Sequence, residues 1–243
     1  MRLDKFLAHH GYGSRKEVKQ FLKKTEVTVN GKRVKDGKQA IVPTSDIVRV
    51  QDEVILYQEY VYWMLHKPSG YISGTEDQAK TVLDLLKPKD AGRAVFPVGR
   101  LDKDTEGLLL LTDDGQLAHE LLSPKKHVDK VYEATIEGVV TGDDVHAFKK
   151  GIVLEDDYQC KPAKLEILQG NGVKTDIRIT IQEGKYHQIK RMFLAVDKKV
   201  IYLKRIQMGS LQLDENLARG EYRPLTVGEL EQLSKNALRF KSN

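Results

Sequence analysis

Four consecutive leucines, Leu108 to Leu111, have the length of a strand and no polar residue among them, so neither face of that strand tolerates water. Thr112 and the turn residues Asp113-Asp114-Gly115 end the run. Whatever this chain folds into has to bury that strand. The residues immediately before it, Gly99-Arg100-Leu101-Asp102-Lys103-Asp104-Thr105-Glu106-Gly107, are of opposite character. A polar, glycine-bounded stretch carrying Asp102, Asp104, Arg100 and Thr105 and feeding a buried strand has the pattern of a functional loop on a rigid scaffold. The competing reading is a solvated turn in which Asp102 or Asp104 bonds to nearby backbone. Spacing alone leaves both open.

A chain of 243 residues can build one sizeable core and a small satellite domain. Its charge is unevenly spread. The first fifty residues hold twelve Lys or Arg against five acids, a net +7, whereas the remainder sums to −2. A basic module joined to a near-neutral body concentrates polyanion affinity at one end; the plainer reading is an ordinary solvated face. No apolar run is long enough to span a membrane, and Met1-Arg2-Leu3-Asp4-Lys5 lacks a signal-peptide core, which predicts a cytoplasmic protein. The single cysteine, Cys160, has no disulfide partner within the chain and is read as a packing residue. No Cys/His grouping has zinc spacing, and the His9-His10 pair lacks further ligands, so no metal is expected.

In the basic module, Leu3, Phe6 and Leu7 have helical spacing, and Val18, Phe21 and Leu22 repeat it. Ser14-x-x-Glu17 is a capping box opening the second helix, which would display Arg15, Lys16, Lys19 and Lys23. Val27-Thr28-Val29, Asn30-Gly31 and Lys32-Arg33-Val34 spell a hairpin with a type I′ turn. Strands are expected again over 46–50 and 54–57. After a short linker at 57–59, strands are expected over 60–65, 131–137, 163–168, 174–182 and 200–205. His66 to Tyr71 reads as a loop because of Pro68 and Gly70. Helices are expected over 81–86 (stopped by Pro88), 116–122 (closed by Ser123-Pro124), 143–151, 187–196, and from the capping box Thr226-x-x-Glu229 to about 237. The tail 239–243 is expected to fray. Helices and strands in no regular βαβ order predict an α+β body with a mixed, largely antiparallel sheet, in two domains over 1–57 and 60–243.

The wording Gly99-Arg100-Leu101-Asp102-x-x-Thr105-x-Gly107-Leu108 through Gly115 resembles the signature of the RsuA/RluB/RluE/RluF family of ribosomal RNA pseudouridine synthases. Lys130-Val131-Tyr132-Glu133-Ala134, Glu183-Gly184-Lys185-Tyr186-His187-Gln188-Ile189-Lys190-Arg191-Met192 and Gly220-Glu221-Tyr222-Arg223-Pro224-Leu225 extend the likeness over nearly the whole chain. Helix, helix and an Asn-Gly-Lys hairpin after Arg2-Leu3-Asp4-Lys5-Phe6-Leu7 resemble an S4 RNA-binding domain. Within the family, the Tyr-His-Gln-Ile-Lys-Arg wording is closer to the small-subunit branch, RsuA, than to RluB-type relatives with Arg-Gln-Val-Arg.

The resemblance implies an isomerase that needs no cofactor and acts on ribosomal RNA or a ribosome assembly particle; with no oligomerisation stripe evident in the sequence, a monomer is expected. It places the catalytic carboxylate at Asp102, its basic partner at Lys190 and the ring that stacks on the uracil at Tyr132. Many relatives have Arg where Lys190 stands, so the charge is kept and the planar fork lost. Arg100 would fill the vacancy left by a flipped nucleotide or grip a phosphate; its plainer role is to balance the neighbouring aspartates. Tyr132 and Lys190 have plainer readings too, as core packing and as a solvated helix residue. RNA contacts are expected from Arg2, Lys5, Arg15, Lys16, Lys19, Lys32, Arg33, Lys67 and Arg191; Lys67 faces either the RNA or the site in the family reading, and Arg191 is the second candidate for the basic partner of Asp102, with a solvated helix residue as its plainer reading. Thr105 and Gly107 are read as shaping the loop, and His187 as a hydrogen-bonding residue. The alternatives are a large-subunit enzyme, a noncatalytic RNA-binding or ribosome-assembly factor, and a glycosylase using Asp102 with Asp104.

Overall fold

A computed structural model describes residues 1–123 and 126–238. Pro124, expected to close a helix, and the tail 239–243 lie outside these residues. The chain divides into two compact units: Met1–Val61 with Leu83–Phe96, and Tyr62–Val82 with the chain from Pro97 onward. Among the described residues no helix is long and apolar enough to cross a membrane.

In the first unit, α1 (Leu3–His9) and α2 (Arg15–Lys24) accompany a four-stranded antiparallel sheet of β1 (Val27–Val29), β2 (Lys32–Arg33), β3 (Val48–Val50) and β4 (Glu53–Ile55), ordered β2-β1-β3-β4. The helically spaced Leu3, Phe6, Leu7, Val18 and Leu22 meet Val27, Val29 and Val48 in one core. Ser14 caps α2 as its sequence predicts: the Glu17 amide donates to Ser14 Oγ at 3.3 Å and the Ser14 amide to Glu17 Oε2 at 2.7 Å. Asn30 (φ 52°) and Gly31 (φ 78°) supply the two positive-φ residues of the hairpin turn.

The segment 83–96 joins this unit, although the sequence places it in the larger body. The helix expected over 81–86 is a 3-10 turn, Val82–Leu85, and Pro88 begins α3 (Pro88–Ala91) rather than only ending what precedes it. Proline has no amide hydrogen, and the first position of a helix needs none. Lys89 Nζ of α3 meets Glu53 Oε1 at 2.6 Å, and Arg93 Nη2 lies 3.1 Å from His9 Nε2 and donates to the Gln58 carbonyl at 3.3 Å.

The second unit is built on β5 (Tyr62–Lys67), β7 (Glu106–Thr112), β8 (Lys130–Glu137), β9 (Lys164–Gly170), β10 (Lys174–Ile181), β11 (Lys199–Met208) and β13 (Tyr222–Pro224). Their order is β13-β5-β7-β11-β8-β10-β9, and the two-residue β6 (Phe96–Pro97) and β12 (Leu211–Gln212) attach to β7 and β11 off this path. Along that path every pairing is antiparallel except β7 with β11, which is parallel. The leucine strand is β7, flanked on both edges, with Leu108 to Leu111 wholly inaccessible to solvent. Helices α4 (Gly115–Leu122), α5 (Gly142–Lys150), α6 (Gln188–Leu194) and α7 (Val227–Leu238) complete the unit. Asp114 caps α4 by accepting from the amides of Gln116 and Leu117, and Thr226 and Glu229 form the expected capping box of α7. β13 escaped the sequence because three residues ending in proline carry no strand periodicity.

One row of the sheet register positions everything that follows: Tyr132 of β8 pairs with Arg205 of β11, Arg205 with Gly107 of β7, and Gly107 with Lys67 of β5. Gly107 has φ 106°, and a Cβ there would overlap the Arg205 carbonyl and stand 2.7 Å from its amide nitrogen. Both the angle and the contact demand glycine. Gly107→Ala is therefore expected to cost about 3 kcal/mol or more, seen as a fall of roughly 6–12 °C in melting temperature of the second unit; an unchanged melting curve would contradict the close approach.

Candidate active site

Asp102 and Asp104 sit on the loop between Pro97 and β7, and the backbone of that loop is held from both sides. Ser73 Oγ donates to the Leu101 carbonyl at 3.0 Å and accepts from the Leu101 amide at 3.1 Å. The Lys67 ammonium, at the end of β5, donates to the carbonyls of Asp102 (3.1 Å), Lys103 (3.1 Å), Thr105 (2.8 Å) and Pro68 (3.1 Å). The Gly70 amide adds a bond to the Lys103 carbonyl at 2.8 Å.

Lys67 is thus corrected from the sequence expectation of an RNA contact. It is the last residue of a strand rather than part of a loop, it is completely buried, and its donors are committed to main-chain oxygens. Burial pushes its pKa down from 10.5 to about 8, against the pull of Asp104, Asp102 and Glu106. The apolar run Trp63-Met64-Leu65 shortly before Lys67 was the available signal, since a buried strand can continue through His66 to that lysine.

The side chains of the loop meet α6. Lys190 Nζ lies 3.0 Å from Asp102 Oδ2 and 2.6 Å from Asp104 Oδ1, one ammonium shared by two carboxylates. Burial works to raise the Asp104 carboxyl, but the hydrogen bond and charge of Lys190 outweigh it and hold the group below the usual range. Burial works in turn to lower the Lys190 pKa, and its bonds to the two carboxylates overcome that and raise it. His187, in the left-handed conformation at φ 48°, precedes α6 and brings Nε2 to 3.8 Å from Asp102 Oδ1. The sharing of Lys190 with Asp104 and the approach of His187 were not read from the sequence, because both depend on how α6 meets a loop some 86 residues earlier.

Tyr132 is buried on β8 in the register row that leads through Arg205 to Gly107. Arg205, absent from the expected site, is 1 % exposed and donates from Nε to the Leu108 carbonyl at 2.8 Å. Arg100 is exposed beside Asp102. The Arg191 guanidinium meets Glu155 at 2.6 Å and Asp156 at 2.7 Å, acidic neighbours that offset part of the charge expected to face RNA. In the first unit Lys5, Lys16, Lys19, Lys32 and Arg33 are exposed. Arg2 and Arg15 are exposed too but converge on the buried Asp4, at 2.6 Å and 3.1 Å, which neutralises part of their charge.

A basic helix–helix–hairpin unit, joined to a sheet that presents a clamped carboxylate against a lysine, defines the class: an RNA-modifying enzyme with its own RNA-binding module. The family models agree on both parts. Residues 1–54 match the S4 domain, and residues 61–195 match the RNA pseudouridylate synthases. The chain belongs to that synthase family, in its RsuA-type group with an N-terminal S4 domain, and is a pseudouridine synthase, an isomerase. It is 51% identical over 236 residues to the uncharacterized RNA pseudouridine synthase YtzG of Bacillus subtilis, covering 97% of this chain and 99% of that one. It is 40% identical over 232 residues to ribosomal small subunit pseudouridine synthase A of Escherichia coli, covering 95% and 98%. A crystal structure of a pseudouridylate synthase superposes with a TM-score of 0.67 at 40% identity, covering 96% of this chain and 99% of that one.

Proposed function

We propose that this enzyme isomerises uridine to pseudouridine at one or few positions of small-subunit ribosomal RNA, with Asp102 as the reacting carboxylate. The observation that carries the assignment of Asp102 is its pairing with Lys190 at 3.0 Å on a loop whose main chain is fixed by Lys67 and Ser73. The reaction breaks the bond from ribose C1′ to uracil N1, turns the base and joins C1′ to C5. C5 loses a proton and N1 gains one, so nothing is consumed. Asp102 acts at the sugar–base junction, and the ammonium beside it offsets the cost of drying the carboxylate when RNA covers the site.

Tyr132 supplies a flat wall against which the detached base turns. Arg100, exposed next to Asp102, enters the stack the uridine has left, which offsets part of the few kcal/mol that flipping costs. The exposed cations of the S4 unit, Lys5, Lys16, Lys19, Lys32 and Arg33, add affinity for phosphates. The small-subunit target rests on the Escherichia coli relative, similar along nearly its full length.

Mapping pseudouridines in both ribosomal RNAs, with and without this protein, tests the proposal. The expected result is loss of a small-subunit pseudouridine in its absence. A change confined to large-subunit RNA would move the target, and no change in either would remove ribosomal RNA as the substrate.

A further inference from the structure

Beside Asp102 the surface carries an aromatic pair that the isomerisation itself does not use. The rings of Tyr186 and His187 are stacked, with centroids 3.8 Å apart and planes 17° from parallel. Tyr186 is 76% exposed, so one face of the phenol lies on the imidazole and the other is open to solvent. Leaving a large ring in water costs free energy unless something covers it.

The turn that bears the pair is held in place. Gln188 Oε1 accepts from the Lys185 amide at 2.9 Å, and Gln188 Nε2 donates to the buried Glu183 carboxylate at 2.6 Å. The main chain that carries Tyr186 is therefore held, and the phenol rests on the His187 ring, which lowers the cost of ordering it on binding.

We infer that Tyr186, backed by His187, is a stacking platform for the nucleobase of an RNA residue adjacent to the target uridine. This inference rests on the pseudouridine assignment for Asp102. His187 Nε2 stands 3.8 Å from Asp102 Oδ1, and the phenol is stacked on that same imidazole. A base on the open face is separated from the imidazole by the phenol, while Asp102 approaches the imidazole itself, which favours a neighbouring nucleotide over the one whose ribose Asp102 reaches. The ligand is a base rather than a phosphate because the open face is an uncharged π-surface, which any base can cover. Tyr186 is a binding residue, not a catalytic one.

The test compares the full-length enzyme with Tyr186→Ala and Tyr186→Phe on small-subunit ribosomal RNA transcripts, measuring Kd at several salt concentrations and turnover by pseudouridine formation. Tyr186→Ala is expected to raise Kd and KM about tenfold, while kcat at saturating RNA stays within about twofold. The slope of log Kd against log salt should not change, because no phosphate contact is lost. Tyr186→Phe keeps the ring and should behave as wild type. Wild-type Kd and KM in Tyr186→Ala would overturn the platform, as would a reduced salt slope. If Tyr186→Ala weakens binding while the wild-type enzyme forms no pseudouridine in these transcripts, the platform stands and the ribosomal target falls.

Discussion

Asp102→Asn in the full chain is expected to lower pseudouridine formation by about 10⁴-fold or more, with RNA affinity changed by no more than about threefold. The substitution keeps the shape of the side chain and removes only its charge. Lys190 remains held by Asp104 at 2.6 Å, so the local structure has a reason to persist. The companion variant Asp104→Asn separates the two carboxylates. Asp104 is 70% exposed and reaches outward from the loop; without its charge Lys190 pairs with Asp102 alone, and turnover should survive. Quantifying pseudouridine and free uracil in the products completes the test. Equal loss in both variants, or release of free base, would point to paired-carboxylate hydrolysis, and full function in Asp102→Asn would point to a noncatalytic role.

The second large effect is on stability. Lys67→Met keeps most of the aliphatic stem but leaves the carbonyls of Pro68, Asp102, Lys103 and Thr105 without their ammonium donor. The expected cost is about 3 kcal/mol or more, and activity should fall with it because the same carbonyls set the direction of Asp102. The pH dependence has a definite sign. The folded pKa of about 8 lies below the ordinary 10.5, so between those values the unfolded chain binds more protons than the folded one. Stability attributable to this group therefore rises with pH across that window. Denaturant titrations of wild type and Lys67→Met between pH 8 and 10.5 should show the wild type gaining relative to the variant. A constant difference would mean that burial does not set the charge of Lys67.

The sequence made legible what is local. Four leucines in a row specified the strand buried between β5 and β11, and two capping boxes and an Asn-Gly turn stand where the residues put them. Positions fixed by a partner far along the chain were not legible. Lys67 reads as a loop cation until β5 is seen to pair through it, and the sequence does not show that Arg191 has Glu155 and Asp156 beside it. Pro88 reads as a stop signal, and only the docking of 83–96 on the first unit shows it to be a start. The Asp102–Lys190 pairing was inferred through family resemblance, and the structure brings those two side chains together; the sharing of that ammonium with Asp104 depends on how α6 meets the loop.

The anchors of the carboxylate loop and its counter-charge come from different distances along the chain. Lys67 closes onto Asp102 across 35 residues and onto Thr105 across 38, whereas Lys190 reaches Asp104 across 86. Closing the longer segment costs more chain entropy, and synthesis delivers it later. The main chain that carries the two carboxylates is thus tied to β5, while their cation comes from a helix much further along the chain. A chain ending before α6 would keep both carboxylates and lack the lysine between them, so the paired centre requires the second unit through α6.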